Sequence, residues 1–184
     1  MQLPPLLTVI VPLYNAGRFF KPFMESLLAQ TFQQLEIIIV DDGSTDGSGE
    51  SADEYVGRVA HIRVIHQANS GVSRARNAGL REARGQYVTF PDADDILEPQ
   101  MYQTLMEMVL ADDLDAAQCN ALRINAHNDH SSPLIPFDRL QSTSIMSGAD
   151  WLNQALKTRR YLHVVWLGGY RLSLIHECRL RFIP

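Results

Sequence analysis

Residues 36–46 read Glu36-Ile37-Ile38-Ile39-Val40-Asp41-Asp42-Gly43-Ser44-Thr45-Asp46. The apolar run Ile37 to Val40 leaves no polar side to a pleated strand. Both faces must therefore be covered, as in a parallel sheet with helices on each side. The run stops at two carboxylates and a glycine, the chemistry of a turn. A central strand ending in an acidic turn places polar side chains where open α/β sheets bind their ligands, at the carboxyl ends of the strands.

The flanking segments repeat the pattern. Upstream, Thr8 to Val11 is a short β-branched run closed by Pro12 and followed by Asn15-Ala16-Gly17, a strand leaving its sheet into a turn. From Phe19 to Gln30 the residues Phe19, Phe20, Phe23, Met24, Leu27 and Leu28 recur at helical spacing. Downstream, a helix is predicted from about Ser48 to Val56 and a strand over Ile62 to Ile65. A second helix follows from Gly71 to Arg84, stopped by Gly85, and then a strand over Tyr87 to Phe90. This alternation predicts the α/β class, a doubly wound and mostly parallel sheet flanked by helices with right-handed crossovers.

Beyond Pro99, Met101, Leu105, Met108 and Val109 mark a helix to about Asp112, and their spacing assigns them to the core. A strand is predicted over Ala116 to Ile124, and an irregular polar loop, containing His127 and His130, over His127 to Pro136. Ser147-Gly148-Ala149-Asp150 opens a helix through Trp151, Leu152, Ala155 and Leu156, and an apolar run Val164 to Leu167 precedes Gly168-Gly169. Arg171 to Pro184 begins a helix-then-strand pattern and stops without turn chemistry, so the chain is expected to be truncated.

Composition narrows the function. With 46% apolar residues in 184, the chain can build a core. Its 16 Lys and Arg against 21 Asp and Glu give a formal charge of -5, which supplies no basic field for a nucleic-acid backbone. Cys119 and Cys178 lack the short spacings of zinc or redox sites and are expected to be buried thiols. No Lys or Arg precedes the apolar stretch Leu6 to Leu13, and Pro12 interrupts it. Neither signal peptide nor membrane helix is predicted, and a cytoplasmic location is the expectation.

Acidic clusters fall after two of the predicted strands, Asp41-Asp42-Gly43-Ser44-Thr45-Asp46 and Asp92-Ala93-Asp94-Asp95. Carboxylates crowded on one sheet edge repel one another unless a cation neutralises them, and hard oxygen ligands suit magnesium or manganese. In Asp92-Ala93-Asp94 the spacing of two sends both carboxylates the same way from an extended backbone. An alternative is a non-catalytic calcium- or nucleotide-binding module, since Asp42, Ser44, Asp46, Gly47, Glu50 and Asp53 fit much of a twelve-residue calcium loop. Against it, a strand precedes Asp42 where a calcium hand needs a helix, and Gly49 stands where an apolar residue belongs. A hydrolase reading through Ser73 fails because no strand ends just before Gly71. Neither of the common glycine-rich nucleotide motifs occurs.

Five ordered blocks resemble the family 2 glycosyltransferases: Thr8-Val9-Ile10-Val11-Pro12-Leu13-Tyr14-Asn15, Ser26-Leu27-Leu28-Ala29-Gln30-Thr31, Val40-Asp41-Asp42-Gly43-Ser44-Thr45-Asp46, Ser73-Arg74-Ala75-Arg76-Asn77-Ala78-Gly79 and Asp92-Ala93-Asp94-Asp95. The resemblance covers about residues 6–110. It implies a GT-A fold, a nucleotide-sugar donor and a manganese or magnesium ion, in a single domain over 1–184. Residues 1–98 would be its nucleotide-sugar-binding half and 99–184 an incomplete acceptor-side half. Tyr14 would lie against the base, Asp42 would hydrogen-bond it, and Pro12 would shape the pocket. Asp92 would approach the ribose or the metal, Asp94 would ligate the metal, and Arg76 would support the diphosphate side. Met101 to Met106, Asp112 to Asp115, Gln118 to Asn120 and His163 to Trp166 are similar to bacterial lipopolysaccharide-core glucuronosyltransferases. That similarity implies UDP-glucuronic acid as donor and a glycan or glycolipid acceptor of the cell envelope, met at the inner face of the cytoplasmic membrane by peripheral contact. The family's catalytic carboxylate is expected after Pro184, so no catalytic residue is assigned here, and donor binding without efficient transfer is the expectation.

Overall fold

Burial of the first two strands follows the side-chain alternation of a sheet covered on both sides. Strand β1 (Leu7–Leu13) and strand β2 (Leu35–Asp41) pair in parallel with Val9 opposite Ile37, Ile10 opposite Ile38 and Val11 opposite Ile39. Val9, Val11, Ile37 and Ile39 join one apolar layer, and Ile10, Ile38 and Val40 join the other. The computed structural model describes residues 4–124, 131–134, 145–158 and 165–184.

The first layer is filled by helix α1 (Phe20–Leu28) through Phe20, Phe23, Met24 and Leu27, by Ala52 of α2 (Ser48–Val56), and by Tyr102, Leu105, Met106 and Val109 of α4 (Met101–Ala111). The second is filled by Ala75, Ala78 and Leu80 of α3 (Val72–Glu82) and by Leu172 of α6 (Leu172–Glu177). At Gly79 a β-carbon would run into the Ile10 side chain, so the glycine lets α3 lie close on β1.

Strands β3 (Ile62–His66) and β4 (Tyr87–Thr89) extend the parallel sheet, and β5 (Ala116–Gln118) and β8 (Gly168–Arg171) add an antiparallel edge, in the order β3-β2-β1-β4-β8-β5. The order reverses direction between β1 and β4. β4 pairs with β1 only as far as Val9 opposite Thr89, whereas β1 runs on to Leu13. A crevice opens where the two strands part, the topological switch point of this class of sheet. Pro12 lies in the stretch of β1 that β4 has already left, a position that tolerates a residue without an N–H.

The chain divides into two compact units, Met1–Cys119 with Val165–Pro184, and Asn120–Val164. The first holds the sheet just described. In the second, β6 (Leu122–Ile124) pairs antiparallel with β7 (Ser131–Pro133), and α5 (Gly148–Thr158) opens on Ser147, whose Oγ accepts the Asp150 N–H at 3.1 Å.

The fold class and the first four strands stand as predicted. Four expectations are corrected. Ala116 to Ile124 is not one strand: the Asn120 side-chain oxygen accepts the Ala121 N–H at 2.9 Å, and this local bond divides β5 from β6. Ser131–Pro133 is a strand rather than irregular loop, with Pro133 at its end where its missing N–H does no harm; His127 and His130 lie outside the described residues. Gly168 and Gly169, which follow the apolar run, open strand β8, and at Gly168 a β-carbon would stand 2.9 Å from the Ala117 carbonyl oxygen of the neighbouring strand. After α6 the chain forms no further strand, and Cys178, expected buried, is exposed at the end of that helix, while Cys119 is half-buried with its thiol donating to the Leu167 carbonyl at 3.2 Å.

Candidate functional site

The loops after β1 and β2 are stitched together. Asn15 takes a left-handed conformation (φ 49°), which asparagine adopts more readily than most residues, and its N–H donates to Ser44 Oγ at 3.1 Å. The Thr45 N–H returns a bond to Asn15 Oδ1 at 2.8 Å, and the Gly17 N–H donates to Asp46 Oδ2 at 2.8 Å. Asp46 also accepts the Ser48 N–H at 3.0 Å at the start of α2, and the Ser48 bonds hold its carboxyl below the usual range. Asp46 thus ties two loops and a helix start rather than facing a ligand.

Asp41 and Asp42 turn to different partners. Asp41 Oδ1 accepts the Ser44 N–H at 3.0 Å, and Oδ2 meets His66 Nδ1 at 3.0 Å. A β-carbon on Gly49 would stand 2.7 Å from that Oδ2, so only glycine lets α2 begin this close to the carboxylate. The other imidazole nitrogen of His66 meets Asp53 Oδ1 at 3.0 Å. With a carboxylate at each ring nitrogen the imidazolium is favoured, and the bonds to Asp41 and Asp53 raise the His66 pKa against a small burial effect. Stability from this bridge is full below the ordinary histidine pKa of about 6.5 and disappears as pH rises through the elevated folded value. His66 is half-exposed, so the effect is below about 1 kcal/mol. The urea midpoint should fall slightly between pH 6 and 8, and His66→Gln should flatten that slope.

Asp42, 4% exposed, is enclosed by the loop that leads into α3. Oδ1 accepts Gln67 Nε2 at 2.7 Å, the Ser70 N–H at 2.9 Å and Ser70 Oγ at 3.1 Å, and Oδ2 accepts the Gly71 N–H at 2.7 Å. Burial would raise this carboxyl, but the bonds from Gln67, Gly71 and Ser70 outweigh it and leave the pKa lowered. The calcium-loop alternative does not describe this segment: Asp42, Asp46 and Asp53 each bind a different part of the fold. Among the described residues no three metal-binding side chains converge.

The second acidic turn follows β4. Arg76 of α3, with its side chain 12% exposed, donates through Nη2 to Asp92 Oδ1 at 2.7 Å. Burial raises the Asp92 carboxyl despite this guanidinium. Asp95 is pushed up to about 6 by burial and by the charges of Asp92 and Asp94. Burial thus leads in raising both carboxyls, with the neighbouring charges adding to it at Asp95. Two carboxylates of hard oxygen suit a magnesium- or manganese-type ion that completes its shell with waters and phosphate oxygens, so the residues fit such an ion.

The two acidic turns meet at one cavity of about 460 Å³, lined by Pro12, Tyr14, Asn15, Asp42, Asp92 and Asp94 together with Phe19, Val72 and Ala75. It sits at the β1–β4 switch point and is of a size that takes a small organic ligand. Tyr14 is 53% exposed at its rim. Of the residues singled out in the sequence, Pro12, Tyr14, Asp42, Asp92 and Asp94 share this wall, and Arg76 stands behind Asp92. Asp41, Asp46 and Asp95 lie in the same two turns at this edge of the sheet but are not in the lining of the cavity. Sequence reasoning missed Phe19, Val72 and Ala75, which read as ordinary helix residues, and Gln67 and Ser70, whose role depends on a loop closing over Asp42. A larger groove of about 720 Å³, bordered by α3 and residues 180–184, has no carboxylate in its lining.

Comparison with known proteins identifies the family and the fold. The family model for "Glycosyl transferase family 2" matches residues 8–167. The uncharacterized glycosyltransferase YibD of Escherichia coli (strain K12) is 52% identical over 177 residues, covering 96% of this chain and 52% of YibD. The S. aureus TarS structure in complex with UDP-GlcNAc superposes with a TM-score of 0.79 at 23% identity, over 96% of this chain and 48% of that one. The mannosyltransferase PcManGT of Pyrobaculum calidifontis, solved with GDP-Man and Mn2+, gives a TM-score of 0.66 at 18% identity, over 96% and 47%. The chain spans about half the length of the relatives it matches. Its α/β sheet is the GT-A fold, and the chain belongs to glycosyl transferase family 2.

Proposed function

We propose that this chain carries the donor site of a metal-dependent, inverting glycosyltransferase that uses a UDP-sugar. The observation that carries this reading is the meeting of Tyr14, Asp42, Asp92 and Asp94 on one cavity at the switch point of the sheet. The UDP-GlcNAc bound by TarS supports the class of donor. Tyr14 offers an aromatic face to the base. Asp42 braces the opposite wall and accepts from the base, and a carboxylate there favours a pyrimidine that carries a ring N–H. Asp92 and Asp94 would hold the cation, which when bound offsets the charge of the departing diphosphate, and the Mn2+ of PcManGT supports that assignment. Arg76 orients Asp92.

On this reading residues 1–98 supply the donor half and 99–184 belong to the acceptor side. The similarity read in residues 101–106, 112–115, 118–120 and 163–166 supports UDP-glucuronic acid as the sugar nucleotide and a lipopolysaccharide or other cell-envelope glycan as acceptor. Such an acceptor would be reached by peripheral contact from the cytoplasm. Among the described residues no helix is long and apolar enough to cross a membrane.

Isothermal titration with UDP and manganese tests the donor site directly. Tyr14→Ala should weaken UDP binding about tenfold, within the range of one base–aromatic stack, while Tyr14→Phe should bind like the parent. Equal affinity of parent and Tyr14→Ala would remove the base from this wall. A panel of UDP-sugars in the same titration ranks UDP-glucuronic acid first if the sugar assignment is right.

A further inference from the structure

Asp92 is held from behind by a chain of contacts that ends far away in sequence. The Arg76 guanidinium donates to Asp92 Oδ1 at 2.7 Å, and its carbon lies over the Phe182 ring, 5.3 Å from the centroid. Arg76 Nε is buried without a hydrogen-bond partner, so Asp92 and the ring are the contacts that fix the head of this side chain among the described residues. Phe182 is itself clamped. Its N–H donates to Asn77 Oδ1 at 3.0 Å, its carbonyl accepts from Asn77 Nδ2 at 2.8 Å, and its ring packs edge-on against buried Phe90 with centroids 5.0 Å apart. Arg76 and Asn77 are neighbours on α3, so one helix turn grips a segment 105 residues downstream of Asn77 and presents the product of that grip to the acidic turn.

We propose that Phe182 is a positioning residue of the donor site: clamped by Asn77, its ring sets Arg76, and Arg76 sets where Asp92 stands. The inference rests on the reading of Asp92 as a donor-site carboxylate. An arginine side chain is long and rotates about several bonds, and a guanidinium stacked on an aromatic face keeps only a few of its orientations. The bond to Oδ1 fixes how the Asp92 carboxylate stands, and that carboxylate would help to hold a cation. Loss of the ring frees Arg76 and, with it, the half-buried carboxylate. Among the described residues, none of the hydrogen bonds and ring contacts that make up this chain involves Tyr14 or Asp42 at the base end of the cavity.

Calorimetric titration of UDP, once with manganese and once with a chelator, tests the proposal. Phe182→Leu keeps an apolar side chain against Phe90 and removes the ring face. It should weaken manganese-supported UDP binding roughly three- to tenfold, as expected for loss of a cation–π contact in a partly desolvated site, and change binding in chelator less than twofold. Phe182→Tyr should restore the parent value, and Asn77→Ala, which opens the clamp but keeps the ring, should act in the same direction as Phe182→Leu. Thermal midpoints of the variants identify any that fail to fold, and in that event Phe182→Tyr against the parent and Asn77→Ala decides the matter. Unchanged manganese-supported affinity in Phe182→Leu overturns the proposal alone, as does an equal loss with and without the metal, which a merely structural role would give. A parent that binds UDP equally with and without manganese overturns both the proposal and the metal role of Asp92. A parent that binds no UDP overturns the donor reading and the proposal together.

Discussion

Asp42→Ala should destabilise the fold by about 3–5 kcal/mol and abolish measurable UDP binding. The carboxylate is 4% exposed and accepts the Ser70 and Gly71 backbone N–H groups as well as Gln67 Nε2 and Ser70 Oγ. Truncation leaves those donors facing an apolar methyl. Each buried donor without a partner costs about 1–3 kcal/mol, and the two backbone N–H groups cannot rotate away to water as the side chains can. The loop in question ends at Gly71, which has φ 92° and precedes Val72 and Ala75 on the cavity wall. Its release therefore deforms the wall as well as lowering stability. A urea midpoint and a UDP titration separate the two effects. Asp42→Asn, which keeps one acceptor oxygen, should recover part of the stability but little of the binding. The stability term has a pH signature: the Asp42 pKa is lowered in the folded state, so its contribution is full above the ordinary carboxylate range and is lost as pH falls through the folded value. A midpoint unchanged by Asp42→Ala at neutral pH would show that loop 67–71 is held by something else.

Much of this is legible in the sequence. Ile37 to Val40 has no polar face, and that alone demands helices on both sides of a parallel strand; the two apolar layers of the sheet are the physical answer. The Asp41-Asp42 and Asp92-Ala93-Asp94 turns marked strand ends, and the switch point brought Asp42, Asp92 and Asp94 to one cavity with Pro12. Asp46 shows where composition misleads. Asparagine, serine, threonine and aspartate in loops serve the backbone as readily as they serve a ligand, and here Asn15, Ser44, Thr45 and Asp46 are used to join two loops. Arg76 shows a second limit. The resemblance pointed to Arg76, but its contact with the Phe182 ring comes from a residue that no local pattern could pair with it. The β5–β6 break was equally hidden, since it depends on how one asparagine side chain chooses between water and the next N–H.

Asp94→Asn should reverse the response of UDP binding to metal. Asp92 has a guanidinium 2.7 Å away, whereas Asp94 lines the cavity and is exposed, with no cation beside it among the described residues. Its charge enters the energetics of a bound diphosphate in two opposite ways. Without a divalent ion, Asp94 repels the phosphates across a partly desolvated gap, so removing the charge should leave UDP binding unchanged or tighten it by up to several-fold. With manganese present, Asp94 is one of the two carboxylates assigned to the ion, and its loss should weaken UDP binding by about ten- to a hundredfold, since even supporting residues of metal sites carry effects of that size. The amide preserves the shape of the carboxylate, so a steric or folding account predicts the same direction in both conditions. Titrating the parent and Asp94→Asn with UDP, in manganese and again in chelator, yields four affinities. Opposite shifts in the two solutions identify Asp94 as a metal ligand, and parallel shifts would move the cation, and with it the leaving-group chemistry, away from this turn.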